Sequence, residues 1–326
     1  MKQLMIVVPA YNEEEALPKT LEVLDGVLSE MINQGQVTPN SQILIVNDGS
    51  ADKTWDIVVA ASQANPHITG INFSRNYGHQ NALIAGLTVA QDAADIFITI
   101  DADLQDDVNA IPEMVAQNAA GYDIVYGARN SRETDSAFKR NTAELFYKIM
   151  GKLGVEMVPD SADYRLMSRR AVIHLLDFKE HNLFLRGIVP RVGFPSTVVY
   201  YARKEREAGE SKYPLSKMIN FAWDGITSFS VAPMRFILGI GVLSVLFAII
   251  MVIYAFIKEI TGHTVAGWSS LMISLWVIGG LQLIAIAILG EYIGKIFNEV
   301  KDRPRYVIQD NLLNNEDLDD KQFTRH

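Results

Sequence analysis

Cysteine is missing from all 326 residues, and histidine occurs only six times. The first absence excludes disulfides, thiolate-ligated zinc and thiol catalysis, and is compatible with a reducing cytosol. The second leaves no histidine pair at metal-binding spacing, so His79 and His181 read as structural or supporting groups. Positive charge is also short. Lys and Arg total 29 against 38 Asp and Glu, a formal net charge of −9. Nucleic-acid binding needs a basic footprint, so nucleic acid is excluded as a partner. There is no G-x-x-x-x-G-K-S/T loop. The lone G-x-G, Gly239 to Gly241, falls inside an apolar run, where it serves helix packing at most.

Two long stretches lack charge altogether. Residues 236–257 form an uncharged run of 22, roughly 33 Å as a helix. Residues 268–290 form another of 23. Two such runs in tandem predict a membrane hairpin, and their place near the C-terminus excludes a signal peptide. Lys217, Arg235, Lys295, Lys301, Arg303 and Arg305 flank the hairpin on its outer sides, whereas the connection 258–267 carries only Lys258. The positive-inside rule therefore puts both termini and residues 1–235 in the cytoplasm. The polar tail after residue 309, with Asp310, Glu316, Asp317, Asp319 and Asp320, reads as disordered.

The first 200 residues alternate short apolar runs with amphipathic stretches. Strands are predicted at Leu4–Val8, Ile43–Val46, Ile68–Phe73, Ile96–Ile100 and Ile124–Tyr126, with helices near 13–33, 52–64, 79–92 and 107–120. This pattern predicts an α/β fold: a mainly parallel sheet with helices on both faces. The chain divides into a catalytic domain (1–200), a juxtamembrane region (201–235), the hairpin (236–290) and a cytoplasmic tail (291–326). Within the juxtamembrane region, Arg203, Lys204, Arg206, Lys212 and Lys217 make a basic cluster suited to anionic membrane lipids. Residues 214–230 have the apolar-polar pattern of a helix lying in the membrane interface.

In parallel sheets, ligands bind beyond the carboxyl ends of the strands. Three predicted strands end in polar groups: Pro9-Ala10-Tyr11-Asn12-Glu13, Asn47-Asp48-Gly49-Ser50 and Asp101-Ala102-Asp103-Leu104-Gln105. Each alone also reads as a turn with a helix cap. Together at one edge they favour a convergent site. Were 101–105 extended, Asp101, Asp103 and Gln105 would share one face. Two carboxylates and an amide oxygen suit Mg²⁺ or Mn²⁺, whose open positions phosphate oxygens can fill.

The series VPAYNEEEALP, VNDGSADKT, FSRNYGHQNALIAGL, DADLQDD, YGAR, SADYRLMSRRA, FLRG and AGESKYPLSKM, in this order, resembles the membrane-bound family 2 glycosyltransferases that load sugars onto polyprenyl phosphate. Dolichol-phosphate mannosyltransferases and bacterial undecaprenyl-phosphate glucosyltransferases belong there. The resemblance covers about residues 4–235, and the two terminal spans match the bacterial branch. The departures are a longer stretch at 34–41 and the charged run 204–207. The resemblance implies a GT-A, Rossmann-like fold and inverting transfer of a hexose, glucose, from a UDP-sugar to undecaprenyl phosphate for cell-envelope glycans. It implies that Pro9, Tyr11 and Glu13 hold base and ribose, that Asp48 accepts a hydrogen bond from the base, and that Asp101 lies near ribose or metal. Asp103 and Gln105 would hold Mg²⁺ or Mn²⁺ against the diphosphate. Arg129 and Arg140 would meet phosphates, and Arg206, Ser211 and Lys212 the lipid phosphate. Asp163, beside the transferred sugar, completes a catalytic set with Asp101 and Arg129; a salt bridge to Arg165 or Arg169 is its alternative role. The family also implies a homo-oligomer, a tetramer.

The chemistry is consistent with that assignment. Cleavage at the anomeric carbon leaves charge on a nucleoside diphosphate, which a metal and an arginine stabilise. A phosphate monoester, with second pKa about 6, is already largely a dianion at neutral pH and needs little activation. Other readings are a processive polysaccharide synthase of the same fold, a GDP-mannose enzyme, an Asp-x-Asp phosphatase and a non-catalytic nucleotide-sugar receptor. The synthase normally has more spans and a Q-x-x-R-W motif, and this chain has no Arg-Trp pair.

Overall fold

The computed structural model describes residues 1–130, 158–159, 161–181, 183–202, 232–261 and 267–313. These fall into two units. One contains the described residues up to 202 together with 303–313; the other contains 232–261 and 267–302.

The first unit is built on one sheet. Its strands are β1 (Leu4–Ala10), β2 (Gln42–Asn47), β3 (Ile68–Phe73), β4 (Ile96–Thr99), β5 (Ile124–Arg129), β6 (Ser161–Ser168), β7 (Ser196–Tyr201) and β8 (Ile308–Asn311). Their spatial order is β7-β5-β6-β4-β1-β2-β3-β8. β1 to β5 and β7 run one way, and β6 and β8 run against them. The mainly parallel expectation holds. The helices are α1 (Leu17–Asn33), α2 (Thr54–Ala64), α3 (His79–Ala90), α4 (Ile111–Ala119), α5 (Arg169–Leu176) and the single turn α6 (Leu185–Ile188).

Burial follows from the run composition. All seven residues of β1 are buried, as expected for a central strand covered on both faces. Leu4, Ile6 and Val8 join a cluster with Leu17, Leu24 and Leu28 of α1 and Met114 of α4. The other face of β1 meets α3 at close range. A Cβ at Gly86 would sit 2.4 Å from Val7 Cγ1, so only glycine lets this helix approach.

Three strands were not expected from the sequence. β6 is antiparallel, with Thr99 of β4 opposite Arg165, so it begins at the edge where its parallel neighbours end. β7 pairs with β5 and forms one edge of the sheet. β8 corrects the reading of a disordered tail at residues 310–313, while Glu316, Asp317, Asp319 and Asp320 lie outside the described residues. Ile308–Asn311 pairs with β3, Leu312 N–H donates to the Gly70 carbonyl at 2.9 Å, and Tyr306 stacks on Phe73 with ring centroids 5.3 Å apart. Backbone pairing and an aromatic stack hold a segment whose side-chain composition alone reads as solvated.

The second unit contains α7 (Ala232–Ile260) and α8 (Trp268–Val300). At 29 and 33 residues they are about 43 and 50 Å long, more than a hydrocarbon core of about 30 Å requires. Both are long and apolar enough to cross a membrane. Phe236, Leu243, Phe247, Leu283 and Ile293 are exposed on them, so no described part of the chain covers these faces. The amphipathic stretch expected at 214–230 lies outside the described residues.

Candidate active site

The carboxyl ends of β1 and β2 are neighbours because Ala10 is in register with Asn47. Pro9 and Ala10 end β1, and the chain then turns at Asn12, which has a left-handed φ of 54°. The Asn12 N–H donates to Ser50 Oγ (2.9 Å), the Ala51 N–H donates to Asn12 Oδ1 (2.9 Å) and the Glu13 N–H donates to Thr54 Oγ1 (2.9 Å). The two loops thus brace each other and leave Tyr11 exposed. Gly49, at φ 64°, permits a tighter contact: a Cβ there would lie 2.3 Å from the Arg75 carbonyl carbon.

Asp48 has work that the sequence did not suggest. It is buried, and its two oxygens accept from the N–H groups of Tyr77 (2.6 Å) and Gly78 (2.9 Å). Burial raises its pKa, and these donors partly offset that. Asp48 thereby fixes the turn that opens α3 and aims His79.

The loop after β4 differs from its expected form. The strand stops at Thr99, residues 102–103 turn, and Leu104 has φ 52°. Asp101, Asp103 and Gln105 therefore do not share a face through extended alternation; instead the Gln105 N–H donates to Asp103 Oδ1 at 3.2 Å across a turn. Gln105 is buried, while Asp101 and Asp103 are partly exposed. Burial pushes Asp101 up to about 6; Asp163, Asp106 and Asp103 add to the rise, and His79 opposes it. Asp101 Oδ1 is buried without a hydrogen-bond partner.

These features fit a hard divalent cation. An orphaned carboxylate oxygen amid further carboxylates is relieved by positive charge, and all-oxygen donors suit Mg²⁺ or Mn²⁺. Among the described residues no three His, Asp or Glu side chains form a complete metal group. The protein would supply only part of a shell, leaving positions for ligand oxygens.

Opposite Asp101 stands Asp163, delivered by the start of β6 and held there by the Thr99 hydroxyl, which donates to the Asp163 carbonyl at 2.5 Å. Two guanidinium groups and an imidazole converge on its carboxylate. Arg165 Nη2 lies 2.5 Å and Arg186 Nε 3.5 Å from Oδ1, and His79 Nε2 lies 3.6 Å from Oδ2. The same His79 nitrogen is 3.5 Å from Asp101 Oδ1. Burial alone would raise the pKa of Asp163, but His79, Arg186 and Arg165 together hold it far below the ordinary carboxylate range. Burial likewise opposes protonation of His79, yet Asp163 and Asp101 raise its pKa. Two carboxylates are pushed in opposite directions across one imidazole.

Arg129, at the end of β5, is 3.4 Å from Asp106 Oδ1, which also accepts from the Tyr201 hydroxyl at 2.5 Å. Its Nε is buried without a partner, so the guanidinium is oriented and retains a donor. Arg140, Arg206, Ser211 and Lys212 lie outside the described residues.

Residues 5–176 match Glycosyl transferase family 2. The chain belongs to this family. An uncharacterized glycosyltransferase of Bacillus subtilis (strain 168) is 50% identical to this family 2 enzyme over 311 residues, covering 95% of this chain and 92% of the relative. The SfII prophage-derived bactoprenol glucosyl transferase of Shigella flexneri is 40% identical over 315 residues, covering 94% and 97%. Among solved structures, glucosyl-3-phosphoglycerate synthase from Mycobacterium tuberculosis, in complex with Mn²⁺, UDP-glucose and phosphoglyceric acid, aligns with TM-score 0.46 and 17% identity over 70% of this chain and 78% of that one.

The family 2 domain thus brings Pro9, Tyr11, Glu13, Asp48, Asp101, Asp103, Gln105, Arg129 and Asp163 to the carboxyl ends of its parallel strands, in three subclusters: β1–β2, β4–β6 and β5. Sequence reasoning missed His79 as the bridge and Arg186 as a partner of Asp163. Both sit in quoted motifs, FSRNYGHQNALIAGL and FLRG, but nothing in their spacing from Asp163 shows that they meet it. Arg165 was named only as an alternative partner, and the pairing is present.

Proposed function

We propose that this glycosyltransferase moves glucose, with inversion, from UDP-glucose to undecaprenyl phosphate at the cytoplasmic face of a membrane, for modification of cell-envelope glycans. The observation that carries the chemistry is the opposed electrostatics of Asp101 and Asp163 around His79. On one side is an oxygen suited to a metal beside a diphosphate; on the other, a carboxylate whose pKa is held far below the ordinary range. Near-full-length similarity to a bactoprenol glucosyl transferase supports the polyprenyl acceptor, and the two long apolar helices support a membrane-held enzyme.

The residues divide the work. Pro9, Tyr11 and Glu13 would bound the base and ribose on the braced β1 loop. Asp101, Asp103 and Gln105 would hold Mg²⁺ or Mn²⁺, which neutralises charge developing on the leaving diphosphate. Arg129 has an unsatisfied donor and would face phosphate. Asp163 is too weak a base to take a proton efficiently, because a depressed pKa lowers proton affinity. It is suited instead to orient a sugar hydroxyl and to oppose positive charge at the anomeric carbon. The acceptor's own dianion is the nucleophile: one of its oxygens bonds to the anomeric carbon as the carbon–oxygen bond to UDP breaks and UDP keeps the electron pair. One displacement gives a β-linked product from an α-linked donor.

The charge bias of the hairpin flanks supports a cytoplasmic catalytic domain. Arg206, Ser211 and Lys212 would grip the lipid phosphate near the bilayer surface. The deciding assay combines purified protein, undecaprenyl phosphate, Mg²⁺ or Mn²⁺ and a panel including UDP-glucose, UDP-galactose, UDP-N-acetylglucosamine and GDP-mannose, with mass analysis of the lipid. A single hexose on the lipid phosphate with UDP release is the expected result. A polymer, free inorganic phosphate or preferential use of another donor would replace the reading.

A further inference from the structure

A line of side-chain hydrogen bonds crosses the sheet edge from the C-terminal strand to the β1 loop. Asn72 Nδ2 donates to Asp310 Oδ2 (2.8 Å), Asn47 Nδ2 donates to Asn72 Oδ1 (2.7 Å), Ser50 Oγ donates to Asn47 Oδ1 (2.5 Å), and the Asn12 N–H donates to Ser50 Oγ (2.9 Å). Asn47 and Asn72 are buried, so their amides have little water to turn toward.

The direction of this line is set at one end. A carboxylate has no hydrogen to give, whereas an amide presents a donor on one side and an acceptor on the other. Asp310 therefore compels Asn72 to offer its NH₂ to β8 and its oxygen to Asn47. That oxygen takes the NH₂ of Asn47, which leaves the Asn47 oxygen for the Ser50 hydroxyl. The hydroxyl hydrogen is then committed, and the Ser50 oxygen is left as an acceptor for the Asn12 N–H. Asn12 is the left-handed residue between Tyr11 and Glu13.

We propose that Asp310 is a positioning residue for the nucleotide end of the site, acting through Asn72, Asn47 and Ser50 on the Asn12 peptide. This rests on the reading of the β1 loop as the place of the donor's base and ribose. The role is separate from holding β8 in place. That strand has its own backbone pairs with β3, the Leu312-to-Gly70 bond, the Tyr306–Phe73 stack and a bond from Arg305 Nη2 to the Phe178 carbonyl at 2.9 Å. A hydrogen-bonded line of buried amides transmits orientation because turning one member leaves two neighbours unpaired.

The test uses the full chain in detergent, with amide exchange read at Asn12 and Leu312 and UDP affinity measured by calorimetry with Mn²⁺ present. In Asp310→Leu, Asn12 exchange should rise and UDP affinity should fall, each about 5- to 10-fold, the size of one lost hydrogen bond. Leu312 protection should persist. Asp310→Asn can still present an oxygen to Asn72 and should stay within about twofold of wild type. Ser50→Ala cuts the line downstream, so adding Asp310→Leu to it should change nothing more at Asn12. If Asp310→Leu also frees the Leu312 amide, Asn47→Leu breaks the line without touching β8 and decides the matter by the same two readouts. Unchanged Asn12 exchange in both Leu variants, or full additivity with Ser50→Ala, overturns the proposal. If wild type binds neither UDP nor GDP while the exchange coupling holds, the donor-site reading falls and the coupling between Asp310 and Asn12 stands.

Discussion

Arg165 Nη2 lies 2.5 Å from Asp163 Oδ1, two residues along the same strand, with the guanidinium almost wholly buried. Alternate residues of a strand share a face, so β6 carries its own counter-ion for the carboxylate it delivers. Arg186 and His79 add to the field that holds its pKa far below the ordinary carboxylate range.

Asp163→Asn should lower turnover by about 10²- to 10³-fold, the usual cost of removing one preorganised electrostatic group. UDP affinity should change by less than about threefold, because the base-side loops are untouched. The pH–rate profile of wild type should carry no acidic limb from this residue, since its folded pKa lies far below the working range. Steady-state kinetics and UDP titration read both parts. A limb lost on Asp163→Asn would restore the base role.

Asp103→Ala should abolish transfer, and EDTA should do the same to wild type, with Mg²⁺ or Mn²⁺ restoring it. Asp101→Asn should be severe while retaining some nucleotide binding. Turnover near the untreated rate in EDTA would remove the metal from the scheme.

In this cysteine-free chain, Thr264→Cys should react with an impermeant thiol reagent on intact cells, and Gln322→Cys should react only after lysis. The charge difference across the hairpin motivates this. The opposite labelling would put the catalytic unit on the side away from cytosolic nucleotide sugars.

Arg206→Ala and Lys212→Ala should each raise the KM for lipid phosphate about 10- to 100-fold, since a charge-assisted phosphate contact is worth about 1.5–3 kcal/mol. UDP binding should stay unchanged. Arg206→Lys should also be poor if the contact is forked. Equal loss of nucleotide affinity would assign this stretch to the donor.

Asp123 gives a stability test away from the site. It is buried and accepts from Arg170 Nε (2.6 Å), Arg170 Nη2 and Ser168 Oγ (2.7 Å). The Arg170 bond is the main reason its pKa is lowered in the folded protein. A carboxyl depressed on folding stabilises fully above its unfolded pKa of about 3.9 and loses that contribution as pH falls through the lower folded value. Asp123→Ala should cost about 1–3 kcal/mol at pH 7, and the gap to wild type should close in the acid range. Thermal unfolding between pH 3 and 7 measures this. A gap independent of pH would assign the loss to packing.

Local pattern determined the five parallel strands β1 to β5, the four helices between them and the two C-terminal helices built on uncharged runs. The β-branched runs and the 3.6-residue periods are properties of contiguous residues, so no tertiary information is needed to read them. Residue type at the strand ends likewise marked Asp48, Asp101 and Asp103, whereas Asp163 was marked only by the family resemblance. The geometry joining them was another matter. The turn at Leu104 replaced the extended run on which the expected metal face rested, because a left-handed φ in a non-glycine residue leaves no periodic trace.

Only the tertiary structure put His79 between Asp101 and Asp163, brought Arg186 to the same carboxylate and returned residues 308–311 to the sheet. His79 and Asp163 are 84 positions apart, and Asn72 and Asp310 are 238 apart. Such contacts depend on strand order and on the reversed direction of β6 and β8. β8 shows the reason most plainly. Its side chains read as a solvated tail, but its order comes from backbone N–H and C=O groups, which every such residue carries and which composition does not distinguish.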